Sequence, residues 1–205
     1  MNRRITLCVT AASALLAVAA CQRQNADTTT AAAPADAVNA PQDATSAATS
    51  AATVGAATAG GYVTNAAIGD MYEIQAGQMA QERGQAAGVK AFGRMLASDH
   101  TATSNEMKTL ASAAGQTPPA ALDQRHQGMI DNLRAANGTA FDNAFLTQQI
   151  AAHEEAITLH RGYSESGDNA ALKEFAVKTV PKLEQHLQEA RRLQGDQAGG
   201  TKTGQ

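Results

Sequence analysis

The chain has 205 residues, enough for one domain of ordinary size with extensions. Aromatic residues make up only 3%, tryptophan is absent and the net charge is −3. This composition excludes a basic nucleic-acid surface, and it predicts a core of Ala, Leu, Ile, Val and Met packed as helices rather than as a sheet. Alternating β-branched runs are missing, as are a Gly-rich phosphate loop, a CxxC and an HExxH.

The first segment, residues 1–20, reads as a secretory leader. Arg3 and Arg4 precede a short apolar run that ends in small residues. The run is too short for a confident membrane span. Val18-Ala19-Ala20-Cys21 resembles the lipobox of bacterial lipoproteins, in which cleavage falls before the cysteine and its thiol is lipidated. That resemblance implies a membrane anchor at Cys21, and Gln22 in the next position implies the periplasmic face of the outer membrane. Cys8 would leave with the leader, so the mature chain would carry neither free thiol nor disulfide. Residues 21–60 are mostly Ala, Thr, Ser, Asn, Gln and Asp with Pro34 and Pro41. Such a segment lacks the apolar side chains needed to offset its ordering entropy, so a disordered tether spanning roughly 35 Å is expected.

Residues 61–195 carry continuous helical periodicity, with a polar flexible tail expected from 196 to 205. Long helices are predicted over 62–85, 87–114, 139–164 and 169–194, with a shorter one over 121–135. Gly84, the run Gly115 to Pro119, Asn137-Gly138 and Gly167-Asp168 separate them, and Asp168 is expected to cap the last. Pro181 lies inside that helix and should kink it, freeing the carbonyl of Val177. Short turns join the long helices in pairs, which predicts an all-α fold: an antiparallel four-helix bundle with one extra short helix.

Each long helix turns a metal-capable side chain inward. These are Glu73 with Asp70, His100 with Asp99, His153 with His160, and His186. Counted from the hairpin turns, Glu73 and His100 stand level, whereas His153 and His186 are offset by roughly 7 Å. Imidazole and carboxylate together suit one Zn, Fe, Cu or Mn ion. Glu73, His100, His153 and His186 are the expected ligands; Asp70, Asp99, Asp142, Gln149 and His160 are the expected partners that would hold them. The alternative is a structural network of histidine hydrogen bonds that fixes helix register. Asp123 and His126 are expected on an exposed face. Met71, Met79, Met95, Met107 and Met129 are too scattered for a copper-binding cluster. No nucleophile–base arrangement is suggested, so an enzyme reading would require a metal acting on a small molecule or oxidant.

Three runs, AAIGDMYEIQAGQMAQERGQAAGVKAFGRMLASDH, FDNAFLTQQIAAHEEAITLH and LKEFAVKTVPKLEQHLQEARRL, resemble the bacterial family called domain of unknown function 4142. The resemblance covers residues 61–193 and rests most on Glu73-Ile74, Asp99-His100, Phe141-Asp142, His153, Pro181 and His186. It implies a ferritin-like bundle in the periplasm or at the outer membrane, with no agreed reaction. The Glu-x-x-His of di-iron bundles is absent, since Ala97, Ile150 and Leu183 stand three residues before the histidines. A mononuclear site is therefore the form of metal binding expected, with an unidentified protein partner or an envelope-stress role as the alternative.

Overall fold

The computed structural model describes residues 57–200, and every secondary-structure element among them is helical. The leader, Cys21 and almost all of the tether lie outside the described residues. In chain order the elements are α1 (Ala59–Arg83), α2 (Ala87–Ala113), α3 (Gln124–Ala135), α4 (Gly138–Ser166) and α5 (Ala170–Gly200).

Local chemistry explains the boundaries. Thr58 caps α1 by accepting from the Gly61 amide at 3.2 Å. Gly115 takes φ +68° just beyond α2, a left-handed position that suits glycine, while the Gln116 amide returns to the Ala111 carbonyl at 2.8 Å. Asp123 caps α3. At its other end Arg83 donates to the carbonyls of Leu133, Arg134 and Ala136 at 3.2, 3.1 and 2.7 Å, which would otherwise lack donors. The N-cap side chain of α5 is Asn169, which accepts from the Leu172 amide at 3.1 Å, rather than the expected Asp168, whose carboxylate takes the Tyr163 hydroxyl.

α5 runs through Pro181 without a break and continues to Gly200, past the start expected for the flexible tail. Val177, whose carbonyl loses its donor to the proline, is 60% exposed, so water can replace that bond. Arg192 bonding Asp196 at 2.6 Å supports the added turn.

The turns Gly84–Ala86 and Gly167–Asn169 are three residues each and force antiparallel hairpins α1–α2 and α4–α5. α1 also packs on α4 and α2 on α5, closing a four-helix bundle, and α3 lies against α1 and α4. Inner positions recur every three or four residues: Asp142, Leu146, Gln149, His153, Ile157 and His160 on α4, and Leu172, Ala176, Thr179, Leu183, His186, Ala190 and Leu193 on α5. The aromatics are few, but Tyr62, Tyr72, Tyr163, Phe92, Phe141, Phe145 and Phe175 are all buried. The expectation of a purely aliphatic core is corrected accordingly. Composition sets how many rings a chain has, whereas burial of their large apolar area decides where they go.

α1 and α2 approach closely at Gly77 and Gly93. A Cβ on Gly77 would stand 2.7 Å from the Gly93 carbonyl oxygen, and one on Gly93 would stand 2.6 Å from that of Gly77. This contact sets the register that brings Asp70 opposite His100.

Candidate metal centre

Three histidines meet midway along the bundle. His100 comes from α2, His153 from α4 and His186 from α5, and all three are buried. One ring nitrogen of each lies within 4.8 Å of one from the other two. His153 Nε2 and His186 Nδ1 are 3.3 Å apart. The offset expected between these two is reduced because the turn centres on Asp168. That leaves a difference of roughly 4.5 Å, which the side chains span.

The opposite nitrogen of each ring is fixed. His100 Nδ1 sits 2.7 Å from Asp70 Oδ1, His153 Nδ1 sits 2.9 Å from the Gln149 carbonyl and His186 Nε2 sits 3.0 Å from Asp99 Oδ2. A carboxylate or carbonyl oxygen can only accept, so those three nitrogens carry the hydrogens. His153 Nε2 and His186 Nδ1 are therefore lone pairs pointed at each other, an arrangement that requires a proton or a cation between them. Two imidazoles bound to one ion at ~2.0 Å with tetrahedral angles also stand about 3.3 Å apart.

Charge favours the cation. Burial and the nearby His100 push His186 down to about 4, against the pull of Asp99. Burial, with His100 and His186 beside it, pushes His153 down to about 3. Neither ring carries a second proton at neutral pH. Burial also lowers His100, but its hydrogen bond to Asp70 and the charges of Glu73, Asp70 and Asp99 outweigh that and raise it above the usual histidine range. Its Nε2 has no partner in either protonation state.

Among the described residues, the buried side-chain atoms without a partner are His100 Nε2, both oxygens of Glu73 and both polar atoms of Gln149. Each such orphan costs about 1–3 kcal/mol. All of them lie around this one cluster. Burial pushes the Glu73 carboxyl up to about 7, although His100 and the adjacent Gln149 amide pull it down. Asp99 is the most open member at the site, and Lys182 Nζ reaches it at 3.2 Å. Burial raises Asp99, but its bonds to His186 and Lys182 prevail and hold it below the usual carboxylate range.

The residues anticipated for this site separate in space. His100, His153 and His186 converge, and Asp70 and Asp99 back two of them. Glu73 is not part of the three-histidine group. Its Oε1 lies 3.8 Å from His153 Nδ1, the nitrogen turned away from His186, and that nitrogen already donates to Gln149. The contact is therefore not an ion pair. Asp142 is engaged elsewhere, accepting from the Gln85 and Ala86 amides at 2.9 and 2.8 Å at the start of α2. It stands three turns from His153 on the same helix, too far to support a ligand. His160 lies 2.9 Å from the Tyr62 hydroxyl, two turns from His153. His126, expected at the surface, is buried beside Tyr72 with Asp123 at 2.7 Å. Helical periodicity alone did not place it, because α3 carries only three buried residues, His126, Ile130 and Leu133.

Among solved structures, CopM in the Cu(II)-bound form superposes with a TM-score of 0.59 at 18% identity, covering 68% of this chain and 97% of that one. CopM in the Ag-bound form gives 0.57 at 18%, covering 68% and 96%. A DUF305 fragment from Deinococcus radiodurans gives 0.59 at 13%, covering 66% and 93%. At these identities the likeness is one of fold. No curated protein matches the chain. The family model described as "Domain of unknown function (DUF4142)" matches residues 42–193, and the chain belongs to that family.

Proposed function

We propose that this protein binds a single transition-metal ion through His100, His153 and His186, as a lipid-anchored protein of the bacterial envelope. The observation that carries the reading is the convergence of three buried ring nitrogens whose opposite nitrogens are all fixed to acceptors. Three imidazoles, with His100 giving up its Nε2 proton on binding, suit copper or zinc better than the oxygen-seeking ions. Copper is the first choice because the bundle is shared with CopM, whose structures hold Cu(II) and Ag. A purely structural histidine network is the weaker reading: it would leave His100 Nε2 without a partner and the lone pairs of His153 and His186 facing each other.

The test is elemental mass spectrometry on the purified full-length chain after exposure to Cu, Zn, Fe and Mn in turn. One ion per chain, absent from His153→Ala, is the expected result; no retained ion with any of the four overturns the reading. The anchor rests on the leader pattern and Cys21. A labelled fatty acid should join the protein and be lost in Cys21→Ser, which should fractionate away from the outer membrane.

A further inference from the structure

Two of the three histidines already have a carboxylate on the nitrogen that faces away from the centre: Asp70 on His100 at 2.7 Å and Asp99 on His186 at 3.0 Å. The third has a carboxylate nearby but unbonded. Glu73 Oε1 stands 3.8 Å from His153 Nδ1, with neither of its oxygens partnered and only 4% of the residue exposed. Beside it the fully buried Gln149 amide comes close enough to pull the Glu73 carboxyl down, yet neither of its polar atoms makes a hydrogen bond of normal geometry. Among the described residues the one other buried side-chain atom without a partner is His100 Nε2, so the unmade bonds gather at this cluster.

We infer that Glu73 is a positioning residue rather than a metal ligand, and that it closes onto His153 Nδ1 when an ion occupies the three-histidine centre. This inference rests on the metal-binding reading above. A bound cation polarises His153 and makes its N–H a stronger donor, so that its one hydrogen, now given to the Gln149 carbonyl at 2.9 Å, is shared with the carboxylate, which is drawn in by about 1 Å to charge-assisted hydrogen-bond distance. The Gln149 amide N–H then satisfies the second carboxylate oxygen. All three histidines acquire the same carboxylate–histidine–metal arrangement, which fixes the tautomer and raises ligand basicity. Glu73 reaches from α1, so the one long helix that supplies no ligand also joins the centre.

The experiment measures Cu(II) affinity, Cu(II) electron paramagnetic resonance and unfolding of the metal-free protein, on the full-length chain and on Glu73→Gln and Glu73→Leu. Both substitutions remove an uncompensated buried carboxyl, so both metal-free variants should be at least as resistant to denaturant as the parent. Affinity should fall about 10-fold in Glu73→Gln, which can still accept a hydrogen bond, and up to about 100-fold in Glu73→Leu, which cannot. The resonance parameters should continue to report the same nitrogen ligands. Unchanged affinity in both variants overturns the inference while leaving the metal site standing. Loss of an oxygen ligand from the spectrum also overturns it, by placing Glu73 on the ion. A parent chain that retains none of Cu, Zn, Fe and Mn removes both readings together.

Discussion

α4 carries two buried histidines two turns apart, and their surroundings differ in kind. At His160 the neighbouring polar groups are paired: Tyr62 Oη meets its Nδ1 at 2.9 Å, Tyr62 stacks on Tyr163 with ring centres 3.9 Å apart, and Tyr163 donates to Asp168 at 3.0 Å. At His153 the lone pair of a second imidazole faces the ring, and five orphaned polar atoms surround the cluster. Burial depresses both, His160 to about 4 and His153 to about 3. Burial and a shifted pKa therefore do not separate a structural histidine from a ligand; the partners left unmade do.

The contrast can be broken most directly by substitution at each end. His153→Ala should abolish metal retention, whereas His160→Ala should retain one ion per chain while losing about 3 kcal/mol of stability through the cavity and the lost bond. Elemental analysis and denaturant unfolding of the two variants read both halves. Equal metal loss in both would erase the distinction.

A pH titration of the metal-free fold sharpens it. His153, His160 and His186 are held down to about 3, 4 and 4, so between pH 6.5 and 4.5 the unfolded chain takes up protons that the folded one refuses. Stability should fall as pH falls through that window. Glu73, held up to about 7, keeps a proton in the folded state that the unfolded chain releases, and so offsets one of the three. His100, raised above its ordinary value, adds a smaller offset of the same sign, and the net fall is on the order of 2 kcal/mol per pH unit. Bound metal should reduce acid sensitivity near neutrality and lose hold as protons reclaim the histidines. Chemical denaturation at a series of pH values, with and without ion, checks both.

Smaller effects come from the supports. Asp70→Asn and Asp99→Asn should each weaken metal binding about 10-fold or more, with stoichiometry unchanged, by loosening His100 and His186. Tyr62→Phe, which removes the hydroxyl at the other end, should leave affinity unchanged and cost about 1–2 kcal/mol of stability. Isothermal titration on the three variants tests the assignment.

Much of this was legible from spacing. Histidines 153 and 160 fall on the inner stripe of α4 because positions three or four residues apart share a helical face, and His186 follows from the stripe of α5. Helix count and the hairpin turns came from Gly, Pro and Asn at the boundaries. What spacing cannot supply is direction within the core. Glu73 faces inward as expected, yet it approaches the outer nitrogen of His153, a matter of side-chain rotamers and bundle tilt. Asp142 shares the stripe with His153, but the exposed amides at the start of α2 claim it. That capping depends on how the hairpins meet, which no local pattern encodes.

The two cysteines of this chain, at positions 8 and 21, lie outside the described residues, and residues 57–200 contain no cysteine. The three histidines occupy the place a brace would take: one belongs to the α1–α2 hairpin and two to the α4–α5 hairpin. An ion held among them is a reversible cross-link between the two halves of the sequence, closing a long loop with no covalent bond. In that role a bound metal would be a fastener across the α2–α5 seam, where Asp99, the partly open edge of the site, meets Lys182.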